Sequence, residues 1–206
     1  AIRALAEPAG GPAVARLDAA ARETGTAIVA GFAEAAEGAI WNSAVFVDGA
    51  RAPVVYRKSH LYADYEKGLF RAGAPSAAVV EHAGLKVGLL ICYDVEFPEN
   101  VRRLARAGCA LVAVPTALPA GSYAAFIARQ MIPVRAFENQ LFVAYVDHCG
   151  GDTRFSYAGL STIAAPDGTV LAGAEAEGEA LLVADIRPED FAASAAQNTY
   201  LRDLVL

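Results

Sequence analysis

Methionine and tryptophan occur once each in this 206-residue chain, and cysteine and histidine three times each. Each scarcity excludes something. Cys92, Cys109 and Cys149 are an odd number with no C-x-x-C pair, so no disulfide scaffold is expected and a reducing cytoplasm is the expected compartment. His60, His82 and His148 are too scattered for metal-ligand spacing, and the sequence implies neither a metal nor a cofactor. Basic residues number 17 against 23 acidic ones, for a net charge of −6, and they do not cluster. Nothing there resembles a nucleic-acid footprint. No apolar run reaches the roughly 18 residues of a membrane span, and the start carries no signal-peptide pattern. Charge blocks, Gly/Ser linkers and fixed-period repeats are also missing, which predicts one domain over residues 1–206.

What is present is apolar and punctuated. Hydrophobic residues make up 55% of the chain, enough for a sizeable core. Gly10-Gly11-Pro12 opens a helical stretch over 12–23 that Gly25 closes. Strands are expected at 28–32, 44–47 and 54–56, the last two joined by the Asp48-Gly49 turn. Residues 62–76 read as loop. Strands at 79–80 and 87–91 precede a helix from Pro98 to Ala107, and 111–114 is again strand. A long amphipathic helix over 121–139 contains Pro133, which should kink or break it. Strands follow at 141–146, 161–165, 169–172 and 181–186, then a short helix at 188–196. Helices alternating with strands, with hairpins inserted, predict an α/β layered fold with mixed sheets.

Three segments carry chemistry. In Gly88-Leu89-Leu90-Ile91-Cys92-Tyr93-Asp94-Val95-Glu96-Phe97-Pro98-Glu99, a buried strand runs straight into a cysteine shortly before a helix. That setting suits a nucleophile with free backbone N–H groups beside it. It equally suits a small core residue, the usual fate of a free cysteine. Cys109 and Cys149 lack the setting. In Tyr56-Arg57-Lys58-Ser59-His60-Leu61-Tyr62 a strand delivers two cations, and Lys58 could lower a thiol's pKa or bind an oxyanion. By itself such a pair also fits a solvated edge. In Tyr65-Glu66-Lys67-Gly68-Leu69-Phe70 a carboxylate lies between aromatics, where a surface glutamate would be ordinary. A Cys–His dyad using His60 is conceivable on chemical grounds. Arg135 and Glu138 fit a buried structural ion pair, and Glu99 fits support of a first helical turn. Glu96, Thr116, Ala117, Tyr62 and Phe70 are candidate pocket walls.

Taken together these segments resemble the carbon–nitrogen hydrolase (nitrilase) superfamily, whose members carry a strand-borne R-K-x-H-L, a carboxylate eight residues beyond the lysine and a G-x-x-I-C-Y-D-x-x-F-P-E elbow. Lys58, Glu66 and Cys92 stand at those places in that order. The resemblance continues through Val114-Pro115-Thr116-Ala117, Arg135-Ala136-Phe137-Glu138-Asn139, and Gly159-Leu160-Ser161 with Pro166-Asp167-Gly168. It implies a four-layer α-β-β-α sandwich of two mixed sheets. It further implies a Cys92 nucleophile, an oxyanion held by Lys58 and the Tyr93 backbone N–H, and a Glu66 that positions the amide and Lys58. The implied partners are a small-molecule amide substrate and further copies of the chain, as a homodimer or larger oligomer; bacterial amidases are the most similar branch.

The family's general base is a glutamate in an F-P-E-like segment on an early strand, and no such segment occurs here. Glu7 follows no buried strand and precedes Pro8, so it is not nominated. With Ala1 first and Met131 the lone methionine, the sequence is read as N-terminally incomplete, with a non-catalytic, ligand-binding relative as the alternative. On either reading, the 206 residues expressed alone are expected to be essentially inactive, which an ammonia-release assay checks.

Overall fold

A computed structural model describes residues 2–205. After a single helical turn at Ile2–Leu5, Glu7 reaches forward to the first true helix, α1 (Pro12–Thr24). Its carboxylate accepts the N–H groups of Ala13 (2.9 and 3.2 Å) and Val14 (3.2 Å), filling the role of a cap where Gly11 has no side chain to offer. Glu7 is therefore a structural residue.

Strands β1 (Ile28–Ala36), β2 (Ala39–Val47) and β3 (Val54–Arg57) form an antiparallel three-stranded sheet, with one parallel bridge from Glu7 to Glu34 along its edge. β1 and β2 are longer than the sequence predicts and meet at Glu37-Gly38, both at positive φ (54° and 68°), the backbone of a tight hairpin. Alternation along β2 sends Val45 and Val47 against Val14 and Ala21 of α1, while Ala44 and Phe46 face the second sheet.

The segment expected to be loop contains α2 (Ala63–Leu69), which carries Glu66. Glu66 itself favours the turn, because its carboxylate accepts the N–H of Tyr62, the residue before the helix. Strands β4 (Val79–His82), β5 (Leu85–Leu89), β6 (Leu111–Thr116), β7 (Phe142–Asp147), β8 (Thr162–Ala164) and β9 (Val170–Gly173) form a six-stranded sheet in that order. Its central strands β5, β6 and β7 are parallel and the outer pairs antiparallel. Helices α3 (Pro98–Arg106) and α4 (Ile132–Asn139) connect the parallel strands and bury Val101, Leu104, Ile132 and Ala136 in the main core. The layers thus run α1, small sheet, large sheet, α3 with α4, the expected α-β-β-α sandwich.

The break expected in the helix over 121–139 is present: Ala124–Phe126 is followed by a wide π-type turn at Ile127–Met131 before α4. Pro133, in the first turn of α4, has no N–H to donate back, and the wider turn accommodates that loss. Residues 181–186 are not a strand. Leu181 and Val183 are 90% and 78% exposed, so the apolar pattern there finds neither a pairing partner nor a core.

Close packing fixes the distance between α3 and the large sheet. A Cβ on Gly88 would stand 2.8 Å from Leu104, whose side chain is fully buried. Leu104→Ala should therefore lower stability by about 2–5 kcal/mol, measured by urea denaturation; a loss below about 1 kcal/mol would show that α3 is not held this way.

Candidate active site

Parallel β5, β6 and β7 end side by side, the position at which open α/β sheets present ligand sites. At these ends lie Thr116 and Asp147, the last residues of β6 and β7, and just beyond them Cys92 and Ala117. The small sheet supplies the opposite wall, with Gly31 from β1, Asn42 from β2 and Lys58 immediately after β3. Together with Glu66 these residues line a cavity of about 480 Å³. A second cavity of about 230 Å³ adjoins it, sharing Lys58, Glu66, Cys92 and Ala117, and is walled by Tyr62, Tyr93, Glu96 and Tyr123. Cys92 thus stands between two cavities.

Cys92 opens a 3-10 turn, Cys92–Glu96, and has φ +46°, a left-handed conformation that a side-chain-bearing residue adopts only when its surroundings enforce it. Arg135 does part of the enforcing: it donates to the carbonyls of Val95 (3.0 Å) and Glu96 (2.6 Å) while its third branch meets Glu138 at 3.0 Å. The anticipated Arg135–Glu138 pair is present, with Glu138 half-buried, and its guanidinium also braces the elbow.

Asp94, fully buried, ties the elbow to the other sheet. Its carboxylate accepts from the Tyr56 hydroxyl (2.9 Å), the Ser59 hydroxyl (2.9 Å) and the His60 N–H (2.8 Å), and lies 3.0 Å from His60 Nδ1. Asn100 closes the group by donating to the Asp94 carbonyl at 2.9 Å. His60 also stacks on Phe97 at 3.9 Å and lines neither cavity beside Cys92, so the Cys–His dyad finds no support.

Lys58 is buried to 2% exposure, and its Nζ donates to both oxygens of Glu66, at 2.9 and 2.7 Å. Asn42 donates to the same carboxylate at 3.0 Å, and the Tyr62 N–H at 2.6 Å. A buried ammonium is tolerable only when paired in this way. Two of its three N–H groups are used, leaving one for the cavity it shares with Cys92.

Burial is the largest influence on the Cys92 thiol and pushes its pKa up; the Lys58 charge and the backbone N–H groups of Ala117 and Tyr93 oppose that, while Glu66 adds to it. The resting group is a thiol that needs a proton acceptor before it can attack. Burial likewise raises Glu96, against Lys58 and Arg135. Among the other expected pocket residues, Thr116 donates to the Val114 carbonyl at 3.0 Å and Tyr62 packs edge-on to Tyr93. Phe70 lines a neighbouring aromatic recess with Tyr65 and Phe155. Asn42, Asp94 and Asp147 were not anticipated. Asn42 carried a legible signal, a polar residue at the same strand parity as Ala44 and Phe46.

Comparison with known proteins places this geometry. The family model described as carbon-nitrogen hydrolase matches residues 1–196. The chain belongs to the carbon–nitrogen hydrolase family. It is 44% identical over 207 residues to a protein described as "Hydrolase in pqqF 5′ region" in Pseudomonas protegens, covering 98% of this chain and 71% of that one. An (R)-stereoselective amidase of Pseudomonas sp. is 37% identical, over 97% of this chain and 71% of its own length. Among solved structures, the amidase of Nesterenkonia sp. AN1 superposes with a TM-score of 0.80 at 34% identity, covering 92% of this chain and 71% of that one. A glutamate variant of that amidase carries the acetamide moiety of fluoroacetamide covalently on its active-site cysteine, and a cysteine-to-alanine variant was solved with butyramide. Those proteins establish the nitrilase-like fold of this hydrolase and its kinship with amidases. Among its described residues no cluster of His, Cys, Asp or Glu could hold a metal ion, and no helix is long and apolar enough to cross a membrane.

One titration at this site is open to measurement. Burial lifts the Asp147 carboxyl from an ordinary 3.8 to about 7, against the hydrogen bond from the Leu118 N–H and the nearby N–H of His148. A raised carboxyl means the folded state holds its proton more tightly, so stability is lost as pH rises from about 4 to about 7. Asp147→Asn removes that titration. The melting temperature of the variant relative to the parent should climb between pH 4 and pH 8, and a difference that stays flat would contradict the assignment.

Proposed function

We propose that this hydrolase cleaves the C–N bond of a small amide through a thioester on Cys92, releasing ammonia and a carboxylate. The observation that carries the reading is the convergence of Cys92, Lys58 and Glu66 on one cavity, with Lys58 buried and both Glu66 oxygens committed to holding it. The Cys92 proton passes to a general base, a carboxylate in the scheme that the family resemblance implies. The thiolate adds to the amide carbonyl, forming the C–S bond and moving an electron pair onto oxygen. The free N–H of Lys58 and the Tyr93 backbone N–H receive that oxyanion. Collapse breaks the C–N bond, the base returns the proton to the leaving nitrogen, and ammonia departs. Water, activated by the same base, then hydrolyses the thioester.

Glu66 acts through Lys58 in this scheme, since its charge raises rather than lowers the thiol's pKa and its oxygens already accept from Lys58, Asn42 and Tyr62. Glu96, Thr116, Ala117 and Tyr62 form the substrate walls. Assembly into a homodimer or larger oligomer belongs to the same proposal, supported by exposed Phe126 and Val134 beside the π-type turn.

The test uses protein expressed from its complete coding sequence and follows ammonia release from acetamide, propionamide and butyramide. Cys92→Ala should abolish turnover, and Lys58→Met should lower kcat by about 10²–10³-fold, the usual cost of an oxyanion donor. Turnover persisting in Cys92→Ala would overturn the nucleophile. Absence of release by the unaltered protein from every amide tried would favour a non-catalytic binding role.

A further inference from the structure

The cavity beside Cys92 contains a carboxyl group that the proposed chemistry does not use. Asp147 is the last residue of β7, held on both sides by the structure. Its N–H donates to the Ser161 hydroxyl at 2.9 Å, and its Oδ1 accepts the Leu118 N–H at 2.8 Å. Oδ2 is buried and has no hydrogen-bond partner among the described residues. A buried, unpaired acceptor costs roughly 1–3 kcal/mol, and the residue that carries it lines the cavity that Cys92, Lys58 and Asn42 also line. Of the other polar groups of that wall, Asn42 donates to Glu66, Thr116 to the Val114 carbonyl, and Lys58 gives two N–H groups to Glu66 and keeps one for the cavity, which His148 also lines.

We infer that Asp147 is a specificity-determining residue that selects amides whose acyl chain bears a hydrogen-bond donor, above all an amino group. The inference rests on the amide-hydrolase reading and sharpens its substrate class. With Oδ1 taken by the Leu118 N–H, Oδ2 is the acceptor of the pair left without a partner among the described residues, on a residue carried by a strand end rather than by a flexible loop. An ammonium group seated there would draw the carboxyl back to its ionised form, because an opposite charge favours it, and would supply the missing partner. The neighbouring Tyr145 hydroxyl is buried too, and burial pushes its pKa up. At about 480 Å³ the cavity has room for an acyl chain of several heavy atoms.

The experiment compares two series on protein from the complete coding sequence: glycinamide, β-alaninamide and 4-aminobutyramide against acetamide, propionamide and butyramide. The readout is the ratio of kcat/KM for each amino amide to its parent, so that a folding defect, which depresses both members together, cancels. For one chain length the unaltered protein should prefer the amino amide by at least tenfold, and Asp147→Asn should remove most of that preference. Ratios below one at every chain length, or a preference that Asp147→Asn leaves intact, would overturn the inference while the amide-hydrolase reading stands. Failure of that reading looks different: neither series is turned over.

Discussion

The pairing of Lys58 with Glu66 is the constraint around which the site is arranged. An ammonium group at 2% exposure cannot be left unpaired in the space between two sheets, and the carboxylate that meets it accepts four hydrogen bonds from three residues. Those bonds explain local structure that is otherwise odd. Asn42 interrupts an apolar strand because Glu66 needs a donor from the small sheet. The chain after β3 turns into a helix because the same carboxylate draws in the Tyr62 N–H. Removing either charge would strand the other inside the protein.

Cys92 depends on a second set of fixed groups. Asp94 joins the elbow to Tyr56 of the opposite sheet and to Ser59 and His60 just beyond it, and Arg135 anchors it to α4 through two carbonyls. The thiol is thereby held at a positive φ between two cavities, beside one cation and two backbone N–H groups. Burial still dominates its acidity, which is why the scheme needs a separate base and why Lys58 is better read as an oxyanion partner than as the group that ionises the thiol.

Much of this was legible in the sequence, and the failures have physical causes. The Pro98 helix start and the hairpin across Asp48-Gly49 are local signals that the structure keeps. The strand expected over 87–91 is shifted to Leu85–Leu89, and Leu90 and Ile91 lead on to Cys92 outside it. The spacing of Lys58, Glu66 and Cys92 was legible only through the family resemblance, since nothing local tells that residues 34 apart in sequence share a cavity. The Ala-rich Ala33-Glu34-Ala35-Ala36 favours helix by propensity, yet it pairs with β2, so cross-strand bonding overrode local preference. Residues 181–186 show the converse, a strand-like pattern without a partner. Asp147 could not be singled out because its significance lies in an oxygen that nothing pairs, and pairing is a property of the fold.

The central claim, that Cys92 carries the acyl group, is tested most directly by covalent trapping. Protein from the complete coding sequence would be quenched in acid during turnover of an amide and its peptides mapped by mass spectrometry. The account predicts an added acyl mass on the peptide containing Cys92. Turnover with no adduct there, or with the acyl group on Cys109 or Cys149, would contradict it.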